Sequence, residues 1–119
     1  MIKVYKETDM SEVLHVKDQV IEDLGHGAKR RILAYSKKIM PVKINFEKGA
    51  IGAEHQHEHE QITYVISGKF AFTVDGKKEI VSAGDAIHFS PNSVHGALCL
   101  EKGELIDCFT PYREDFIKK

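Results

Sequence analysis

Apolar and polar residues alternate with a period of two along most of the chain. Val42-Lys43-Ile44-Asn45-Phe46, Ile62-Thr63-Tyr64-Val65-Ile66 and Phe70-Ala71-Phe72-Thr73-Val74 all follow it, are rich in β-branched or aromatic residues, and end in turn chemistry. Each is predicted to be a strand. Lys48-Gly49, Ser67-Gly68, Asp75-Gly76, Ala83-Gly84-Asp85, Pro91-Asn92-Ser93 and Lys102-Gly103 punctuate the pattern, at intervals expected of an all-β sandwich or barrel. Asp75-Gly76 predicts a tight hairpin, because a type I′ turn needs positive φ at both central residues. Met10 to Leu24 departs from the alternation. With Ser11 as N-cap, and Val13, Leu14 and Lys17 to Val20 weakly amphipathic, it reads either as a helix or as an extended segment that pairs with a partner chain.

Composition narrows the class. A chain of 119 residues, 42% hydrophobic and with a net charge of −1, supports one domain with an ordinary core. Its Lys and Arg are balanced by acids, which argues against a nucleic-acid partner; the short run Lys29-Arg30-Arg31 reads as a solvated strand edge. No apolar run approaches the roughly 18 to 20 residues that span a bilayer, and MIKVYKETDM lacks the apolar core of a signal peptide. The expectation is a cytoplasmic protein that does not enter a membrane. Cys99 and Cys108 do not form a CxxC pair and lie in apolar stretches, so buried free thiols are expected.

Residues 55–61 read HQHEHEQ. In an extended strand His55, His57, His59 and Gln61 share one face, either a polar edge or one side of a metal site. Gly49 and Gly68 frame them as G-x5-H-x-H-x3-Q-x6-G, which resembles the first motif of the cupin superfamily with Gln61 in place of the usual Glu. The stretch from Gly84 to His95 resembles the second motif, with Ser90, Asn92 and Cys99 at the usual Pro, Gly and Asn positions. The two motifs lie 15 residues apart. The resemblance implies a cupin double-stranded β-helix, a jelly-roll barrel, as one domain over residues 25–119, preceded by an extension over residues 1–24. It further implies a metal held by His55, His57, Gln61 and His95. Such a donor set leaves open positions on one divalent transition metal, whether Zn, Ni, Mn or Fe. A neutral amide at position 61 leaves the dipositive charge uncompensated, which favours Lewis-acid work on an anionic substrate over dioxygenase chemistry. His59 is expected beside the site and not in it; His88 is read as a strand histidine. Small cupins commonly pair, so a homodimer is expected.

Glu104 to Phe116 resembles the C-terminal strand and tail of the pectin-degradation cupins, which linearise 4,5-unsaturated uronates. Similarity extends over Leu24 to Tyr35 and Asn45 to Gly49. It implies a small anionic sugar substrate, catalytic roles for Asp107 and Arg113, and a pocket in which Phe109, Arg113 and a polar residue at Thr63 contact that substrate. The residues are consistent with this on their own terms. Asp107 is an acid in the apolar run Leu105 to Phe109, and an interior carboxylate must be paired or have its pKa raised. The alternatives are a surface acid on an edge strand and, for Arg113, a surface ion pair. Two other functions stay open: a different small cupin enzyme, such as a dioxygenase or isomerase of a small acid, and a cupin that binds a small ligand without catalysis.

Overall fold

Eight strands carry the regular structure of residues 5–118, the part of the chain that a computed structural model describes. They are β1 (Glu22–Gly25), β2 (Ala28–Ile32), β3 (Met40–Phe46), β4 (Ile51–His55), β5 (Glu60–Val74), β6 (Lys77–Ser82), β7 (Ala86–Phe89) and β8 (His95–Thr110). A 3-10 turn (Val16–Asp18) precedes them and a one-turn helix α1 (Glu114–Ile117) follows. All strand pairings are antiparallel, in the order β1-β2-β3-β8-β5-β6, with β4 added to β8 and β7 to β5. Among the described residues no helix is long and apolar enough to cross a membrane.

The two long strands β5 and β8 form the spine, and each serves both halves of the barrel. Residues 60–65 of β5 pair with the last part of β8 and with β7, whereas residues 69–74 pair with the first part of β8 and with β6. Ser67-Gly68 and Lys102-Gly103 are therefore bends within continuous strands and not the chain reversals expected from their composition. The register shifts at Ser67 mark the bend. Two glycines meet there because nothing larger fits: a Cβ on Gly103 would lie 2.1 Å from the Ser67 carbonyl oxygen and 2.7 Å from the Gly68 Cα. Gly68 also holds φ at +84°, where a side chain is strained. Gly103→Ala is expected to destabilise the fold by on the order of 3 kcal/mol, since backbone and not a flexible side chain must move. Urea unfolding checks this, and an unchanged midpoint would show that the strands separate freely at the bend.

Asp75-Gly76 forms the predicted turn, with φ of +47° and +85°, and joins β5 to β6 through the pair Val74–Lys77. The segment from Met10 to Leu24 forms no α-helix. Apart from the 3-10 turn it carries no regular structure until its end enters β1. Glu7 bridges Tyr35 and the Thr8 amide donates to the Tyr35 carbonyl at 2.8 Å, so this part of the extension pairs within its own chain. Residues 1–4, also within the expected extension, lie outside the described residues. The basic run corrects a second expectation. Strand β2 sits between β1 and β3 and is not an edge, and Arg30 turns inward beside the buried Ala28 and Ile32.

Two apolar clusters fill the barrel. Val65, Phe70, Phe72, Phe89, Cys99 and Leu105 pack one end; Ile32, Tyr35, Met40, Val42 and Phe109 pack the other. Cys99 and Cys108 are free thiols, the first buried and the second half-buried. Among the buried residues of β5 and β8, Gln61, Thr63 and His95 are polar.

Candidate metal centre

His55 closes β4, His95 opens β8, and the two are register partners across that ladder. The chain leaves the strand after His55, so His57 stands on the connection to β5 and not on one continuous strand face with His55, His59 and Gln61. The three imidazoles converge nevertheless. The ligand nitrogens of His55, His57 and His95 lie within 4.8 Å of one another. His55 donates Nδ1–H to the Ala53 carbonyl at 2.9 Å and His95 does the same to Ser93 at 2.9 Å, which leaves each Nε2 with its lone pair available. Phe89 packs on His95 with ring centroids 4.4 Å apart, and Phe109 on His57 at 5.5 Å.

These residues fit a metal. His57 Nδ1 and His95 Nε2 are buried with no hydrogen-bond partner among the described residues. Leaving a buried polar atom unpaired costs roughly 1–3 kcal/mol, which coordination would offset. Burial, followed by the Arg113 charge and assisted by His95 and His55, holds the His57 imidazole down at about 4 against the opposing hydrogen bond to Gln61. His95 is lowered as well, chiefly by burial. Both rings are thus neutral near pH 7, the form that binds metal without proton competition.

Gln61 extends the set. Its Oε1 lies 2.9 Å from His57 Nε2, and its amide nitrogen donates to Thr63 Oγ1 at 2.9 Å, which turns the oxygen toward the histidines. Thr63 in turn donates to Asp107 Oδ1 at 2.6 Å. Thr63 is fully buried, so its hydroxyl links Gln61 to Asp107 and does not reach the cavity as a substrate-contacting group would. Burial pushes the Asp107 carboxyl up to about 6, against the lowering effects of Thr63, Gln61, His55 and Arg113. His59 stands aside: its Nε2 faces the Tyr112 carbonyl at 3.1 Å. His88 pairs with Glu60 at 2.6 Å on the surface.

A cavity of about 340 Å³ opens onto this cluster, and His55, Gln61, His95, Asp107, Phe109 and Arg113 are on its wall. A larger depression of about 840 Å³ over Lys29, Lys43 and Lys102 contains none of them. Arg113 is largely covered, with its guanidinium 4.9 Å from the Phe109 centroid and 4.1 Å from that of Phe116. Sequence reasoning missed Arg30 and Phe116 on this wall, and also Asp75. The Asp75 carboxylate accepts from the Val94 amide at 2.8 Å and the Ser93 hydroxyl at 3.2 Å, so the hairpin turn also anchors the loop that presents His95. No local pattern marks Arg30 or Phe116. For Asp75 the turn residue itself was the signal, since a carboxylate at such a turn commonly accepts backbone amides.

Comparison with known proteins agrees with this geometry. The cupin domain family (Cupin_2) matches residues 42–106. The pectin degradation protein KdgF of Dickeya dadantii (strain 3937) is 46% identical over 98 residues, which is 81% of this chain and 89% of that protein. The solved structure of KdgF from Halomonas sp. superposes with a TM-score of 0.86 at 36% identity, covering 90% of this chain and 99% of the other. An RmlC-like cupin from Shewanella frigidimarina NCIMB 400 gives a TM-score of 0.85 at 43% identity, covering 90% and 96%. The histidine cluster thus sits in a family whose folds share this barrel, and the chain belongs to the cupins, within them to the family of the pectin degradation protein KdgF.

Proposed function

We propose that the protein linearises 4,5-unsaturated uronate monosaccharides, the sugar acids released when pectin or alginate is cleaved by lyases, to the 5-keto-4-deoxyuronate. The observation that carries the reading is the Gln61–Thr63–Asp107 chain, which joins a carboxylate of raised pKa to the amide beside the histidine cluster on one cavity wall. The relationship to KdgF, a pectin degradation protein in Dickeya dadantii, supports it. A divalent transition metal, Zn, Ni, Mn or Fe, held by His55, His57, Gln61 and His95 would supply Lewis-acid stabilisation of charge developing on substrate oxygen.

The chain's own residues perform the proton work. Ionised Asp107 takes the proton of the anomeric hydroxyl as the bond from C1 to the ring oxygen breaks, which frees the C1 aldehyde and leaves an enolate at C5, its oxygen the former ring oxygen. Asp107 then returns a proton to C4, and C5 becomes a ketone. The step is an isomerisation, so no co-reactant is consumed. Arg113 holds positive charge at the substrate carboxylate, and the Phe109 ring packs against the apolar side of the sugar. Thr63 acts as a positioning residue, keeping Asp107 and Gln61 in register.

Residues 25–119 form the catalytic domain in this reading, and residues 1–24 an extension whose Glu22 reaches the cavity wall through Arg30. The reading also includes a cytoplasmic homodimer. Free Cys99 and Cys108 accord with a reducing compartment, and Ile62 and Tyr64, 51% and 48% exposed on the outer face of β5, with a sheet face that a second copy covers. Loss of the conjugated C4=C5 absorbance of uronate freshly released by a lyase tests the function. Metal-loaded protein is expected to accelerate that loss strongly over buffer. No acceleration by protein that retains its metal would move the reading to another small acid, and oxygen consumption would redirect it to a dioxygenase.

A further inference from the structure

Two guanidinium groups, not one, line the cavity. Arg30 on β2 and Arg113 after β8 both lie against the ring of Phe116, at 3.8 and 4.1 Å from its centroid. Their hydrogen bonds differ in a way that matters for an anion. Arg113 spends its side-on edge on its own neighbour: Nε donates to Asp115 Oδ1 at 3.0 Å and Nη2 to Asp115 Oδ2 at 2.8 Å. Its end-on edge is left. Arg30 makes a single contact, from Nε to Glu22 Oε1 at 3.2 Å, and no group among the described residues accepts from its two Nη atoms. A guanidinium can grip a carboxylate through either edge, so the cavity wall offers two open end-on edges, and Arg30 supplies one of them.

Glu22 is buried and shared between Arg30 and the Tyr5 side chain, which also hydrogen-bonds it. It grips the stem side of the guanidinium and aims the far edge away from itself. The Phe116 ring braces the plane from the side, a cation–π contact that holds orientation without using a donor.

We infer that Arg30 is a second carboxylate anchor of this cavity, with the substrate's carboxylate gripped by its Nη1–Nη2 edge beside Arg113. Glu22 and Phe116 are then positioning residues for Arg30. The inference rests on the uronate reading given above and adds a substrate contact to it.

Saturated galacturonate, which carries the carboxylate but cannot undergo the reaction, separates binding from turnover. Calorimetry on metal-loaded protein is expected to show galacturonate binding in the wild type, about 30-fold or more weaker binding in Arg30→Ala, and only partial recovery in Arg30→Lys, which restores charge but not the two-pronged edge. Metal content of the variants should match the wild type. Equal affinity in a folded Arg30→Ala would overturn the inference and leave the uronate reading standing. Absence of galacturonate binding in the wild type, with no turnover of unsaturated uronate, would overturn both. A crystal structure of wild-type protein with galacturonate decides the matter even if the variants do not fold. A carboxylate oxygen within hydrogen-bond distance of Arg30 Nη atoms supports the anchor; a carboxylate seated on Arg113 alone refutes it.

Discussion

Asp107→Asn is expected to lower turnover of unsaturated uronate about a thousand-fold while leaving metal content unchanged. The substitution removes the proton-accepting group and almost nothing else. An Asn oxygen can still accept from Thr63, so Thr63 keeps its place and Gln61 keeps its amide oxygen turned toward the histidines. Burial holds the Asp107 carboxyl at about 6, so its ionised form, the base, is lost as pH falls below that value. The wild-type kcat/KM is therefore expected to fall about tenfold per pH unit below about pH 6 and to level off above it. The stability sign runs the other way. A carboxyl raised in the fold from 3.8 to about 6 contributes stability that is fully present below about pH 3.8 and lost as pH rises through about 6. Asp107→Asn should accordingly be as stable as the wild type at neutral pH, or more so. Turnover within a few-fold of wild type would remove Asp107 from the chemistry; a fall in metal content would show instead that it supports the ligands.

The sequence made some of this legible and concealed the rest for physical reasons. The Asp75-Gly76 turn was readable because positive φ at two adjacent positions is a local demand that few residue pairs meet. Ser67-Gly68 and Lys102-Gly103 carry much the same local signal, yet there the chain bends and continues, because pairing between β5 and β8 on both sides of the bend decides the outcome. The histidines were found by motif spacing more than by period: strand alternation placed them on one face, while the fold breaks the strand after His55 and brings His57 in from a connection. Alternation did place Thr63 with Gln61, but could not show that its hydroxyl would be covered. Arg30 was hidden by its neighbours. Lys29-Arg30-Arg31 looks like a solvated run, and only Glu22 on the adjacent strand and Phe116 near the other end of the chain turn the middle residue inward.

His57→Ala should empty the metal site and bring turnover to background, and a chelator should do the same to the wild type reversibly. The ring that is lost is the one that touches most of the cluster. It lies 5.7 Å from His55, 5.1 Å from His95 and 5.5 Å from Phe109 by ring centroids, and its Nε2 faces the Gln61 oxygen. Alanine leaves two imidazoles and an amide, a set that loses both affinity and the fixed direction of Gln61. The test does not depend on activity. A ligand that binds only the folded state at about 100 times its dissociation constant stabilises by about 2.7 kcal/mol, so metal should raise the unfolding midpoint of metal-free wild type and not that of His57→Ala. Acid should weaken the effect in the same direction. His57 stays neutral until pH approaches about 4, so protons compete for this ligand only at the acid extreme. If metal stabilises His57→Ala as strongly as wild type, the ion is held elsewhere and the histidine cluster is not its seat.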